Sequence, residues 1–139
     1  MRLVVCSVLI ALGCSRPPQV TASPAEFRRS VSGSDWTLVV LAETPAATGA
    51  GGRRATLHFH ADSARVAGFA GCNRYAGGYT VDGQALRFAP LAMTKMACVD
   101  GMVLENHVAD ALGRTNRYEL ATNGLTLFEG ATVVAQFTR

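Results

Sequence analysis

Gly71-Cys72-Asn73-Arg74-Tyr75-Ala76-Gly77-Gly78-Tyr79 joins a cysteine to a glycine-punctuated β pattern. Tyr75 and Tyr79 bracket Gly77-Gly78, a pattern that predicts a strand carrying a bulge or a sharp bend. Val81-Asp82-Gly83-Gln84 then ends the strand on an Asp-Gly turn signal, with Ala85-Leu86-Arg87-Phe88 as hairpin partner. A second cysteine closes a segment of its own, Leu91-Ala92-Met93-Thr94-Lys95-Met96-Ala97-Cys98.

Outward from that stretch the period stays at two. Trp36 to Leu41 makes a first strand, and Pro45 to Gly52 reads as a flexible loop. In Thr56-Leu57-His58-Phe59-His60, Leu57 and Phe59 face one way while Thr56, His58 and His60 face the other. Ala64 to Phe69 is a further short strand. Tyr118-Glu119-Leu120, an Asn123-Gly124 turn, Leu125 to Phe128 and Thr132 to Phe137 complete the series. One segment departs from alternation: Leu104, Val108, Ala111 and Leu112 have the spacing of an amphipathic helix. Asp100 is placed to cap its start, and Gly113 to end it with positive φ. The expected class is α+β, mainly β: an antiparallel curved sheet or partly closed barrel with one packed helix.

The N-terminus reads as an export signal. Met1-Arg2 is a minimal basic region, and Leu3 to Leu12 is an uncharged apolar run. Ten residues at helical rise span roughly 15 Å, about half a hydrocarbon core, which suits a signal peptide and not a membrane span. The run ends in Ala11-Leu12-Gly13-Cys14-Ser15, which is similar to a bacterial lipoprotein box with Cys14 as the acylated residue. Residues 1–13 are therefore expected to be a lipoprotein signal peptide. Residues 14–34, with Pro17, Pro18 and Pro24 among small and polar side chains, are expected to be a flexible tether. The folded domain is expected over 35–139. The implied location is the cell envelope, as an outer-membrane lipoprotein facing the periplasm, with a lipid-bearing membrane as first partner.

Export bears on the cysteines. Cys6 and Cys14 lie in the N-terminal segment, so Cys72 and Cys98 are the thiols of the domain. In an oxidising compartment two such residues have one intramolecular pairing, and a stabilising disulfide is the expectation. Free structural thiols and a nucleophilic Cys72 served by a histidine are the alternatives.

The quoted motifs resemble a known family. Gly68-x-x-Gly71-Cys72-Asn73-x-Tyr75-x-Gly77-x-Tyr79, then Leu91-Ala92-x-Thr94-x-Met96-Ala97-Cys98, then the helix and a last Leu-x-Leu hairpin, look like the META domain of HslJ-like proteins. The resemblance covers roughly Asp35 to Arg139. It implies a compact β-rich fold with a packed helix, found in bacterial envelope lipoproteins linked to stress and secretion, and it names no biochemical activity. Fold alone does not confer one.

Candidate sites are few. His58 and His60 project from one face of a strand and could give two metal ligands, but no third is identifiable, and no metal or cofactor is expected. His107 falls on the helix as a partly exposed residue. The Asn73 amide is placed to tie loop backbone together. Arg74, Tyr75 and Lys95 form a possible recognition surface for an envelope protein partner. The chain carries 13 basic and 10 acidic side chains, net +3, and its Arg28-Arg29 and Arg53-Arg54 doublets lack the clustering that nucleic acid requires. The expected function is a non-enzymatic envelope lipoprotein with a stress-related protein-binding or envelope-supporting role. A thiol-dependent enzyme using Cys72 and a small-ligand binding module are the alternatives.

Overall fold

The computed structural model describes residues 22–139. Cys6, Cys14, the expected signal peptide (1–13) and the first part of the expected tether lie outside the described residues.

Ten strands follow a first helix in these residues. Helix α1 is Pro24–Val31; the strands are β1 (Asp35–Leu41), β2 (Thr44–Pro45), β3 (Thr56–Phe59), β4 (Arg65–Phe69), β5 (Arg74–Asp82), β6 (Ala85–Phe88) and β7 (Ala92–Met93). Helix α2, Met102–Arg114, precedes β8 (Arg117–Leu120), β9 (Gly124–Glu129) and β10 (Thr132–Thr138). Every pairing is antiparallel. The order β1-β3-β4-β5-β6-β8-β9-β10 returns to β1, where Thr37 pairs with Thr138 and Leu41 with Ala135. Eight strands thus close a barrel, with β2 added on β1 and β7 on β5. Closure removes the exposed edges that an open sheet of this size would present.

The alternation read from the sequence places the core inside that barrel. Trp36, Leu38, Leu57, Phe59, Val66, Leu86, Leu125 and Leu127 are fully buried. Of the bulge or bend expected at Gly77-Gly78, the bulge is absent. β5 runs unbroken along β4, with Arg65 opposite Gly78, Val66 opposite Gly77 and Phe69 opposite Arg74. Gly77 serves a different need: a Cβ there would lie 2.7 Å from Leu91 Cδ2. The register shifts fall instead between Leu38 and Val40 and between Val133 and Ala135, where β1, β10 and β9 meet.

The tether expectation is corrected for residues 24–34. Ser23 and Glu26 form a capping box: the Ser23 N–H donates to Glu26 Oε2 (2.7 Å), and the Glu26 N–H donates to Ser23 Oγ (3.3 Å). Pro24 occupies the first helical turn, where its missing N–H costs nothing. Phe27 and Val31 are buried, and the Phe27 ring meets Phe59, Tyr79 and Tyr118 from three different strands. Trp36 Nε1 donates to the Val31 carbonyl at 2.8 Å. α1 therefore closes the mouth of the barrel at the start of β1, so the domain begins before Asp35.

α2 packs at the end of β1 away from α1, against β1, β6, β9 and β10. Its expected stripe is borne out, with Leu104, Val108, Ala111 and Leu112 all buried. Its expected ends are not. Asp100 is exposed and caps nothing; the N-cap is Gly101, at φ 96 with no side-chain bond. Gly113 lies within the helix, and Thr115 forms the end, its Oγ1 donating to the Ala111 carbonyl at 2.8 Å.

Candidate functional site

Three glycines explain why Gly101 begins α2. Gly71 has φ +135, and a Cβ on it would lie 2.7 Å from the Gly101 carbonyl oxygen. A Cβ on Gly101 would lie 2.2 Å from the Gly71 oxygen, and one on Gly49 only 2.1 Å from that same atom. The Gly71 carbonyl meanwhile accepts from the Ala50 N–H at 2.7 Å. The loop after β2, the β4–β5 corner and the start of α2 thus meet backbone to backbone. Any side chain would force them apart.

This contact delivers Asn73 to Glu105. Both are buried, at 2% and 7% relative exposure. The Asn73 backbone N–H donates to Glu105 Oε2, and Asn73 Nδ2 donates to Glu105 Oε1 at 3.1 Å. The same Nδ2 donates to the Met96 carbonyl (3.1 Å), while Asn73 Oδ1 accepts from the Met96 N–H (2.7 Å) and from Thr94 Oγ1 (2.9 Å). One amide therefore joins the β4–β5 corner, the segment after β7 and α2. Glu105 stands in the first turn of α2, where the helix macrodipole favours a carboxylate. The tying role expected of Asn73 is the one observed.

Cys72 and Cys98 are bridged, with Cα atoms 5.8 Å apart. The bridge fastens the far end of the 94–98 segment to the same corner. It also leaves neither sulfur with a proton, so the 3.3 Å approach of Cys72 Sγ to the Met96 carbonyl is a packing contact. A nucleophilic Cys72 needs the thiolate that this bond removes.

The expected trio of Arg74, Tyr75 and Lys95 is divided. Tyr75 is buried, because its ring crosses Gly68 and its hydroxyl donates to the Thr56 carbonyl at 2.7 Å. It belongs to the core and is withdrawn from the recognition surface. Arg74 and Lys95 are exposed but line different grooves, Arg74 beside Asp35 and His58, Lys95 beside Met93 and Met96. His58 Nδ1 lies 2.9 Å from Asp35 Oδ1, and the His58 and His60 rings are 5.2 Å apart on their shared face. Among the described residues, no three His, Cys, Asp or Glu side chains are grouped to hold a metal. No helix among them is long and apolar enough to cross a membrane.

What the sequence reading missed is the surface over this knot. Met96, Val99, Met102 and Val103 are 58%, 103%, 38% and 70% exposed, and they are the large exposed apolar side chains among the described residues. All four fall within residues 96–103, from the disulfide segment into the first turn of α2. Glu105 was missed as well, although it sits on the apolar stripe, three residues before Val108 and seven before Leu112. A lone carboxylate on a buried stripe is the signal that would have found it.

The META domain family matches residues 29–139. The chain belongs to the META domain family. No curated protein matches it. Among solved structures, an NMR structure of a protein from Burkholderia xenovorans is 25% identical with a TM-score of 0.64, covering 90% of this chain and 97% of that one. A second NMR structure is 20% identical with a TM-score of 0.61, over 80% and 93%. A crystal structure of a DUF4847 family protein from Bacteroides vulgatus is 17% identical with a TM-score of 0.57, over 81% and 96%. These last two share the fold. In this META-domain chain, Asn73 and the Cys72–Cys98 bridge hold together the corner from which residues 96–103 extend.

Proposed function

We propose that this META-domain protein is a non-enzymatic lipoprotein of the bacterial envelope, anchored through Cys14, that binds a protein partner under envelope stress. The observation that carries the reading is that the large exposed apolar side chains among the described residues, Met96, Val99, Met102 and Val103, all fall within residues 96–103. Apolar side chains in contact with water are tolerated singly, whereas a contiguous group of them marks an interaction surface. The face lies on backbone pinned by Asn73, Glu105 and the disulfide, so little ordering entropy opposes its use. The lipid anchor and the outer-membrane location rest on Leu3 to Leu12 and the Gly13-Cys14-Ser15 box. Two or more acyl chains are what stable attachment requires.

Two measurements test this. Membrane fractionation of the full chain should show that Cys14→Ala releases it or leaves it unprocessed; unchanged fractionation with an unmodified N-terminal peptide refutes the anchor. Chemical cross-linking on intact membranes should give a discrete higher-mass species, lost in Val99→Glu/Val103→Glu with unchanged thermal stability. A pattern indifferent to that double change refutes the binding face.

A further inference from the structure

All the unbridged sulfur among the described residues lies in one place. Met93, Met96 and Met102 are their only methionines, and the domain's two cysteines are consumed by the bridge. The three methionines line a single groove of about 530 Å³ together with Lys95 and Glu105. They arrive there from three backbone segments. Met93 ends β7 and pairs with Tyr75; Met96 is held at both its N–H and its carbonyl by the Asn73 amide; Met102 opens α2.

The donor set of that groove is selective. Thioethers are soft and neutral, and they favour Cu(I) over Zn²⁺, Ca²⁺ or Mg²⁺. The hard donor nearby is engaged, since both Glu105 oxygens already accept from Asn73. Met96 and Met102 are exposed and Met93 is partly buried against the core. Methionine side chains are flexible and polarisable, so the two exposed ones can turn toward the third without disturbing the pinned backbone.

We propose that the groove formed by Met93, Met96 and Met102 is a binding site for a soft monovalent cation, Cu(I) in the envelope and Ag(I) as its closed-shell analogue. The three thioether sulfurs are the ligands, and no redox step is involved. The site shares Met96 and Met102 with the face proposed for a protein partner, whereas Val99 and Val103 take no part in it. Because thioethers carry no titrating proton, binding persists in mild acid, where histidine sites lose their metal.

The test uses the full chain carrying Cys6→Ser and Cys14→Ser, so that no thiol competes, with methyl-labelled methionine and Ag(I) as the probe. Ag(I) needs no reductant, and intact mass verifies that the disulfide survives. The expected result is one ion per chain, with the methyl resonances of Met93, Met96 and Met102 shifting together while that of Met1 stays. Met96→Leu and Met102→Leu should each weaken binding by about tenfold or more, and the triple leucine variant should abolish it with unchanged folding. Unmoved methyl resonances at saturating Ag(I), equal affinity in the triple variant, or a response confined to the His58 and His60 rings would overturn the proposal.

Discussion

Asn73 donates two hydrogen bonds to the carboxylate of Glu105, 32 positions further along the chain, one from its backbone N–H and one from its side-chain amide. The asparagine is thereby both a strand-entry residue and the anchor of a helix, with the disulfide one residue away. Removing it strands several polar groups at once.

Asn73→Ala should therefore destabilise the domain by about 3 kcal/mol or more, since an orphaned buried polar group costs roughly 1–3 kcal/mol and a charged one more. Asn73→Asp tests the charge. It sets a second carboxylate against Glu105, so the variant should gain stability as pH falls and one of the pair takes up a proton. Urea melts of both variants across the acid range check this. An Asn73→Asp stability that declines with acidification in step with wild type would contradict the pairing.

Gly101→Ala and Gly113→Ala should differ in sign. The first places a methyl 2.2 Å from the Gly71 oxygen at a φ of 96, so it should be severely destabilising. The second meets nothing within 4 Å inside a helix and should stabilise by roughly 0.5–1 kcal/mol. Thermal melts decide, and equal effects would mean that the glycine cluster does not govern the helix start.

Much of this was legible in the sequence, and what was not has physical reasons. Alternation gave Leu57 and Phe59 their inward direction, and the motif around Cys72 identified the family. α1 was hidden by composition: three prolines suggested a tether, although Ser23-Pro24-Ala25-Glu26 fits a capping box with proline in the first turn. Gly101 and Gly77 were hidden because each answers a partner distant in the chain, Gly71 and Leu91. Local signals such as Asp100 lost to that tertiary demand. Tyr75 read as surface beside Arg74 because nothing local shows that its ring crosses Gly68.

All three tyrosines, Tyr75, Tyr79 and Tyr118, are buried. Burial pushes each phenol above its ordinary value of 10.0, with Arg28 partly offsetting this at Tyr79. A raised folded value means that the stability is fully present below the unfolded value and is lost as pH rises beyond it. The urea midpoint should hold up to about pH 10 and fall above it, and phenolate absorbance should appear together with unfolding. Phenolate absorbance developing in a chain that remains folded near pH 10 would contradict the burial.

Cys72→Ala and Cys98→Ala should lower stability alike, by about 3.5 kcal/mol for a loop of this length, and the double variant should match either single one. Intact mass with and without reduction before alkylation checks the bond. Alkylation at both positions without reductant would refute it.

Binding through residues 96–103 is open to position-specific photo-cross-linking. A photo-reactive side chain placed at Val99 or Val103 in cells producing the full chain should yield one discrete adduct. The same group at Thr80, exposed on β5, should yield none. Equal adducts from Thr80, or none from Val99 and Val103, would contradict the account.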